Sequence, residues 1–256
     1  MKITFFSHIS RNFLIITLAG IEPRHIEAHQ KESSSIRDFV FGFGDGINTS
    51  LGLVAGVGGA AVGSNIIILA AMVAMFTGAK AMAVQNYLAV KSQRQILDSE
   101  IAREKWEMDN VPEAERREIE DIYKAKGFSG EDLEKIVNKV TSDKKVWLDT
   151  MLTEELKLNL DIVGSPFKSA LRMFGAFLVG GILPIIPYFF ASGYIPLFIA
   201  IGTSLSASFA IGAIKSRIAN ISMLRGGLEM AGLGTGIALI GYGIGSELGS
   251  LGIIKA

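Results

Sequence analysis

Residues 39–63 read FVFGFGDGINTSLGLVAGVGGAAVG and contain a single charged residue, Asp45. A helix needs about 20 predominantly apolar residues to cross the hydrocarbon core of a bilayer. The stretch is long enough for one crossing, and its many small residues suit close packing against neighbouring helices. It therefore predicts a first transmembrane helix.

Four further apolar stretches meet the same length criterion, at residues 65–90, 173–194, 195–214 and 230–254. The chain is also 49% hydrophobic, with a mean hydropathy of +0.39. These features predict an all-α integral membrane protein with five transmembrane helices and an inserted cytoplasmic helical domain. The predicted organisation is an N-terminal cytoplasmic segment at 1–35, helices one and two at 36–90, the helical domain at 91–167 and helices three to five at 168–256.

The net charge of the 256-residue chain is zero, but the charges are unevenly distributed. Residues 91–167 hold 18 of the 25 acidic residues and 13 of the 25 basic ones. An acidic surface repels phosphate backbones, so nucleic acid is not an expected partner. The chain has no cysteine, which excludes disulfides and thiolate metal sites. No nucleophile–base constellation or phosphate-binding glycine loop stands out, so an enzyme is not expected.

Lysines and arginines near the span ends predict the orientation. They cluster on the side that carries Arg37, Lys91, Arg172, Lys215 and Arg225. Because cytoplasmic loops carry the excess of basic residues, residues 91–167 are expected in the cytoplasm.

Residues 91–167, called the module below, read as a series of amphipathic or charged helices. Residues 91–110 are predicted to continue the second transmembrane helix. Further helices are expected at 113–126, 130–140 and 142–158, the second of them capped by Ser129.

Polar residues inside the first two spans are candidates for a transport path, since an ionisable group in a membrane is a functional hypothesis by default. Asp38 and Asp45 are seven residues apart and share a helix face, and Asn48 follows on the same side. Met72, Met75 and Met82 lie on the second span. Carboxylate, amide and thioether groups together could ligate a transition metal, although Met72 and Met75 also suit packing or lipid contact.

Carboxylates in the module recur at helical spacing. Glu100, Glu104 and Glu107 share one helix face, and Glu115 and Glu118 share another. If the helices bundle, their carboxylates could converge on a divalent ion. The same pattern also fits a solvated surface with salt bridges. His25 and His29, one helical turn apart in the N-terminal segment, suit a metal ion, although surface histidines are also found at this spacing by chance.

Glycines four residues apart recur in the first and fifth spans, including Gly42/Gly46, Gly52/Gly56 and Gly241/Gly245. Such pairs let helix backbones approach closely. They predict tight packing within the subunit or at a dimer interface.

The stretch that begins at Arg37 and Asp38, RDFVFGFGDG, resembles the vacuolar iron transporter family, whose first helix carries the pattern R-D-x-V-x-G-x-x-D-G. Further segments are similar to that family in the same order: GAKAM at 78–82, YLAVKSQ at 87–93, PEAE at 112–115, MLTEEL at 151–156 and GGILPIIPY at 180–188.

The resemblance implies a homodimer in a prokaryotic plasma membrane or a vacuolar-type membrane. There it would export cytosolic Fe²⁺, and often Mn²⁺, by proton exchange, with the ion as cargo and no other cofactor. It implies that Asp38, Asp45 and Met82 line the path at the dimer interface. It also implies a metal site in the module. The residues implied at that site are Glu104, Glu107, Glu115, Glu118, Met151 and Glu155.

Two positions near the path differ from the family pattern. Asn86 stands where a carboxylate is usual, and Lys80 stands where a small or apolar residue is usual. Both are assigned to the path as positions that could change ion choice or proton coupling. Two alternatives stay open: a membrane-anchored metal sensor or interaction protein that does not transport, and a transporter of another cation.

Overall fold

The computed structural model describes residues 29–60, 62–157 and 164–251, with side chains described from residue 35 onward. The predicted histidine pair lies outside the described side chains. The described elements are, in chain order, α1 (His29–Gly59), α2 (Ser64–Asn110), α3 (Pro112–Ala125), α4 (Gly130–Thr141), α5 (Lys144–Thr150) with a π-helical turn (Met151–Glu155), α6 (Pro166–Ile182), a 3₁₀ turn (Ile186–Phe189), α7 (Ile195–Ile218) and α8 (Met223–Ser250).

Helix α1 occupies the centre of an apolar bundle and contacts α2, α6, α7 and α8. Its buried side chains include Leu51 and Val54, which pack with Met75 of α2 and Phe177 of α6. The outer surface of the bundle is also apolar, with exposed side chains such as Phe198. A bundle that is apolar on both its inner and outer faces is typical of a membrane protein.

Glycines bring the bundle helices into backbone contact, as their spacing predicted. A β-carbon on Gly46 would overlap the carbonyl oxygen of Phe177, and one on Gly245 would overlap that of Gly56. These glycines therefore pack α1 against α6 and α8 within one subunit.

Helix α2 links the bundle to the module. Its 47 residues span about 70 Å at 1.5 Å per residue, more than twice the hydrocarbon thickness of a bilayer. Helices α3–α5 pack together at the carboxyl-terminal part of α2, around a core that includes Met108, Ile119, Val137 and Trp147. The prediction that α2 continues past residue 90 is confirmed, and the module has a hydrophobic core of its own.

Four helices in the described part of the chain are long and apolar enough to cross a membrane: the segment Ser35–Gly59 of α1, and α2, α7 and α8. The third predicted span, 173–194, overlaps only the second half of α6, which has 17 residues. The prediction of a helix reaching residue 194 is wrong, because α6 ends at Ile182 and a turn and the 3₁₀ segment follow. Pro184 and Pro187 lack the N–H groups that would continue the helix.

The last predicted helix of the module also differs in detail. It begins at Lys144 rather than at 142, because the carboxylate of Asp143 caps it by accepting from the amides of Lys145 and Val146. It ends as the wider π-helical turn Met151–Glu155.

Candidate functional site

Three carboxylates from different parts of the module converge. Glu104 lies on α2, Glu115 on α3 and Glu155 at the end of the π-helical turn, and each has an oxygen within 4.8 Å of the other two. The Glu104 and Glu115 side chains are almost completely buried, at 1% and 4% exposure. We call these three residues the carboxylate cluster.

The hydrophobic core of the module positions this cluster. Met108, Ile119 and Met151 are buried in one apolar layer. Each lies four residues, or about one helical turn, from a member of the carboxylate cluster. The packing that fixes this apolar layer therefore also fixes the three carboxylates above it.

The carboxylate cluster is electrostatically unfavourable without a cation. Burial raises the pKa of Glu104 to about 8, helped by a hydrogen bond to Glu115 and by the charge of Glu155. Glu155 is exposed to solvent, but desolvation of its carboxyl group by neighbouring atoms, and then the charge of the nearby Glu118, raise its pKa to about 7. Burial also raises the pKa of Glu115, although its hydrogen bond with Glu104 acts in the opposite direction.

One oxygen of Glu104 and one of Glu115 are buried without a hydrogen-bond partner. Unsatisfied buried oxygens are costly, and carboxylates that meet in this way are the usual ligands of hard and borderline divalent ions. A bound divalent ion would satisfy these oxygens and neutralise their charge, so the residues present fit such an ion.

The other predicted metal ligands of the module lie around the carboxylate cluster with different partners. Glu100 and Glu107 bind Arg103 at 3.0 and 3.7 Å. Glu118 hydrogen-bonds Glu155 at the edge of the cluster. The side chain of Met151 is fully buried in the apolar layer.

Asp38 is fully buried at the end of the bundle that faces the module. Its carboxylate accepts hydrogen bonds from Ser169 Oγ at 2.5 Å and Arg172 Nη2 at 3.0 Å, both on α6, and from Arg37 at 3.4 Å. Asn86 of α2 donates to Ser169 Oγ at 2.8 Å. This chain of bonds ties α1, α2 and α6 together and occupies both oxygens of Asp38.

Asp45 and Asn48 line a cavity of about 500 Å³ between α1, α7 and α8. Glu229 and Met230 of α8 and Lys215 of α7 line the same cavity. We call it the α1–α8 cavity.

Met82 lies elsewhere within the same subunit. It lines a second cavity of about 330 Å³, together with Asn86 of α2 and Met173 of α6. Arg37 and Phe41 line both cavities and lie between them. Lys80 is exposed on the surface of α2, and Met75 is buried in the bundle core.

Several of these residues were not predicted from the sequence. Glu229 immediately precedes residue 230, where the fifth span was expected to begin, so it was not treated as an intramembrane carboxylate. A carboxylate inside a long apolar helix is the signal that could have identified Glu229. Ser169 and Arg172 give no comparable signal, because their importance depends on the pairing of α6 with α1.

Comparison with known proteins gives a consistent result. Residues 36–246 match the model of the VIT family. The chain is 29% identical over 251 residues to a protein named vacuolar iron transporter 1 of Tulipa gesneriana, covering 92% of this chain and 100% of that protein. It is 30% identical to vacuolar iron transporter 1 of Arabidopsis thaliana, covering 86% and 91%. It is also 30% identical to a vacuolar iron transporter of Toxoplasma gondii, covering 88% and 78%.

Proposed function

Because the chain belongs to the VIT family, a family of membrane transporters and not of enzymes, we propose that this metal ion transporter exports Fe²⁺ from the cytosol by proton antiport. The names of its relatives support iron as the transported ion. Mn²⁺ is a second proposed cargo, since carboxylate oxygens bind it as well.

The carboxylate cluster is the observation that carries this proposal. Two nearly buried carboxylates with unsatisfied oxygens, and a third within 4.8 Å, form a site that requires either protons or a cation. Glu104, Glu115 and Glu155 would capture the ion, with Glu107 and Glu118 adding negative charge nearby. Glu100 would support these ligands by holding Arg103 in place. Met151 would support them by packing in the apolar layer.

The proposed path then runs through the bundle. Asp45 and Asn48 would receive the ion in the α1–α8 cavity, and Met82 would contact it across a homodimer interface formed beside the exposed Phe41. Asp38 and Asn86 would stabilise the end of the path that faces the module, through their hydrogen bonds to Ser169. The exposed Lys80 would lie at the border of the path.

The proposed topology has five crossings, with α6 and the 3₁₀ turn together forming the third. The basic side chains Arg37, Arg172 and Lys215 lie at the end of the bundle that faces the module, which supports a cytoplasmic module. Protons released by the carboxylates as the ion binds would supply the coupling.

Fe²⁺ uptake into proteoliposomes that contain the purified chain tests this function. We expect uptake to depend on a pH gradient and to vanish in Asp45→Asn. In the double variant Glu104→Gln/Glu115→Gln, we expect the Fe²⁺ concentration that gives half-maximal uptake to rise. Glu134→Gln, an exposed change on α4, is the matched control and should transport like the wild type.

The result that contradicts export is an absence of flux in the wild-type chain. If Fe²⁺ still bound at the carboxylate cluster, the membrane-anchored sensor would be the better description. If the chain moved other cations but not Fe²⁺ or Mn²⁺, the iron assignment would be wrong.

A further inference from the structure

Lys80 places a charge within the apolar part of α2. Its side chain is exposed, and Val73, Phe76 and Val84, which lie within about 40° of it round the helix, are exposed as well. Among the residues that the structure describes, Lys80 has no hydrogen-bond or ion-pair partner. An ammonium that faces lipid tails is expensive. Lys80 therefore requires a polar group that the described residues do not supply.

The side chain of Lys80 faces away from the proposed path. Met82 is two residues further along α2, which places it about 200° round the helix from Lys80. Met82 and Asn86 line the cavity beside Phe41, where the homodimer interface is proposed. A second copy bound there would leave Lys80 on the opposite face of α2, in contact with lipid.

Three further polar side chains continue this face of α2 toward the module. Tyr87, Lys91 and Arg94 follow Lys80 by seven, eleven and fourteen residues, which places all three within about 40° of it round the helix. All three are exposed, and the four residues together extend over about 20 Å. Tyrosine favours the level of the lipid headgroups, so Lys80 lies about 10 Å inside that level. We call these four residues the α2 stripe.

The positive charges of the α2 stripe are not compensated by neighbouring carboxylates. In the described part of the chain, Lys80, Lys91 and Arg94 form no ion pair. Helix α2 has no acidic residue before Asp98, and α6, which packs against α2, has none at all. An anion is therefore the ligand that complements the stripe.

We propose that the α2 stripe binds one anionic phospholipid of the leaflet that faces the module. The phosphate lies between Lys80 and Lys91, beside the hydroxyl group of Tyr87, and the acyl chains cover the exposed apolar side chains around Lys80. A lysine side chain can extend along apolar surface and bring its ammonium group to a lipid headgroup. A phospholipid supplies both the anion and the apolar chains that this face of α2 requires. The inference goes beyond the proposed transport function and does not depend on it.

Lipid titrations of the purified full-length chain, followed by native mass spectrometry, test this site. The probes are phosphatidylglycerol, which is anionic, and phosphatidylcholine, which has no net charge. Lys80→Leu should weaken the binding of the first phosphatidylglycerol about fivefold, the contribution of one basic side chain near an anionic membrane surface. Lys80→Arg should retain the binding. Arg217→Leu, which removes an exposed cation at the end of α7, is the matched control and should also retain it.

Thermal unfolding in nanodiscs gives a second measurement of the same site. The wild type and Arg217→Leu should melt at a higher temperature in phosphatidylglycerol than in phosphatidylcholine, and Lys80→Leu should lose most of that gain. Equal melting temperatures of all three proteins in phosphatidylcholine show that Lys80→Leu is folded.

Equal phosphatidylglycerol affinities of Lys80→Leu and Arg217→Leu would overturn the assignment, and so would an undiminished gain in melting temperature in Lys80→Leu. Neither measurement requires Fe²⁺. Failure of the lipid site would therefore leave the proposed transport function standing, and an absence of Fe²⁺ flux would leave the lipid site standing.

Discussion

Glu104 carries a buried carboxyl group whose protonation state affects folding as well as metal binding. Its pKa rises from an ordinary 4.5 to about 8 in the folded protein, mainly through burial. Between these values the unfolded chain has lost the proton and the folded chain retains it. The metal-free module should therefore lose stability as the pH rises from about 4.5 to about 8.

Glu104→Gln should remove this pH-dependent penalty. At pH 8 without metal, we expect the free energy of unfolding of the module to increase by about 1–3 kcal/mol over the wild type. At pH 4.5 the gain should nearly disappear, because the wild-type carboxyl is then protonated in both states. Both tryptophans, Trp106 and Trp147, lie in the module, so their fluorescence during urea unfolding of the full-length chain reports this difference.

Glu134→Gln, on the exposed surface of α4, is the control for the loss of one carboxylate and should have little effect at either pH. An equal gain from Glu104→Gln at pH 4.5 and pH 8 would contradict the burial penalty.

At the scale of the helices, α6 provides a matched pair of glycines. A β-carbon on Gly180 would overlap the carbonyl oxygen of Phe43 on α1, whereas one on Gly175 meets nothing within 4 Å. Gly180→Ala should therefore push α6 away from α1 and destabilise the detergent-solubilised protein by about 1–3 kcal/mol. Gly175→Ala should be neutral or slightly stabilising, since alanine favours a helix. Thermal unfolding measures both, and equal melting temperatures would contradict this account of the contact.

The helices themselves follow from local patterns, which explains why the sequence predicted them well. Periodicity assigned the carboxylates to helix faces, and the structure brings Glu104, Glu115 and Glu155 together. Periodicity does not say which helices become neighbours. For that reason the bonding of Asp38 to α6 and the separation of Met82 from Asp45 could not be predicted. The π-helical turn before Glu155 depends on packing in the module and has no clear local signature.

At the scale of the whole molecule, one continuous helix connects the two hydrophobic cores. Residues 91–96 of α2 lie between the bundle and the module, and all of them are exposed. Because this segment has no packing of its own, the direction in which the carboxylate cluster faces depends on the helical register of α2. The proposed transfer of an ion from the cluster to the α1–α8 cavity should therefore be sensitive to rotation.

Insertions of alanine after Gln95 test this dependence. Two residues turn the module by about 200°, whereas seven residues return it to within about 20° of its original direction while moving it about 10 Å outward. We expect Fe²⁺ uptake into proteoliposomes to fall more with two inserted residues than with seven. Fe²⁺ binding at the carboxylate cluster should be unchanged in both, because the module retains its own core. A larger loss of Fe²⁺ uptake with seven inserted residues would mean that distance matters more than orientation. Equal uptake by both variants and the wild type would show that the ion reaches the bundle without directed transfer.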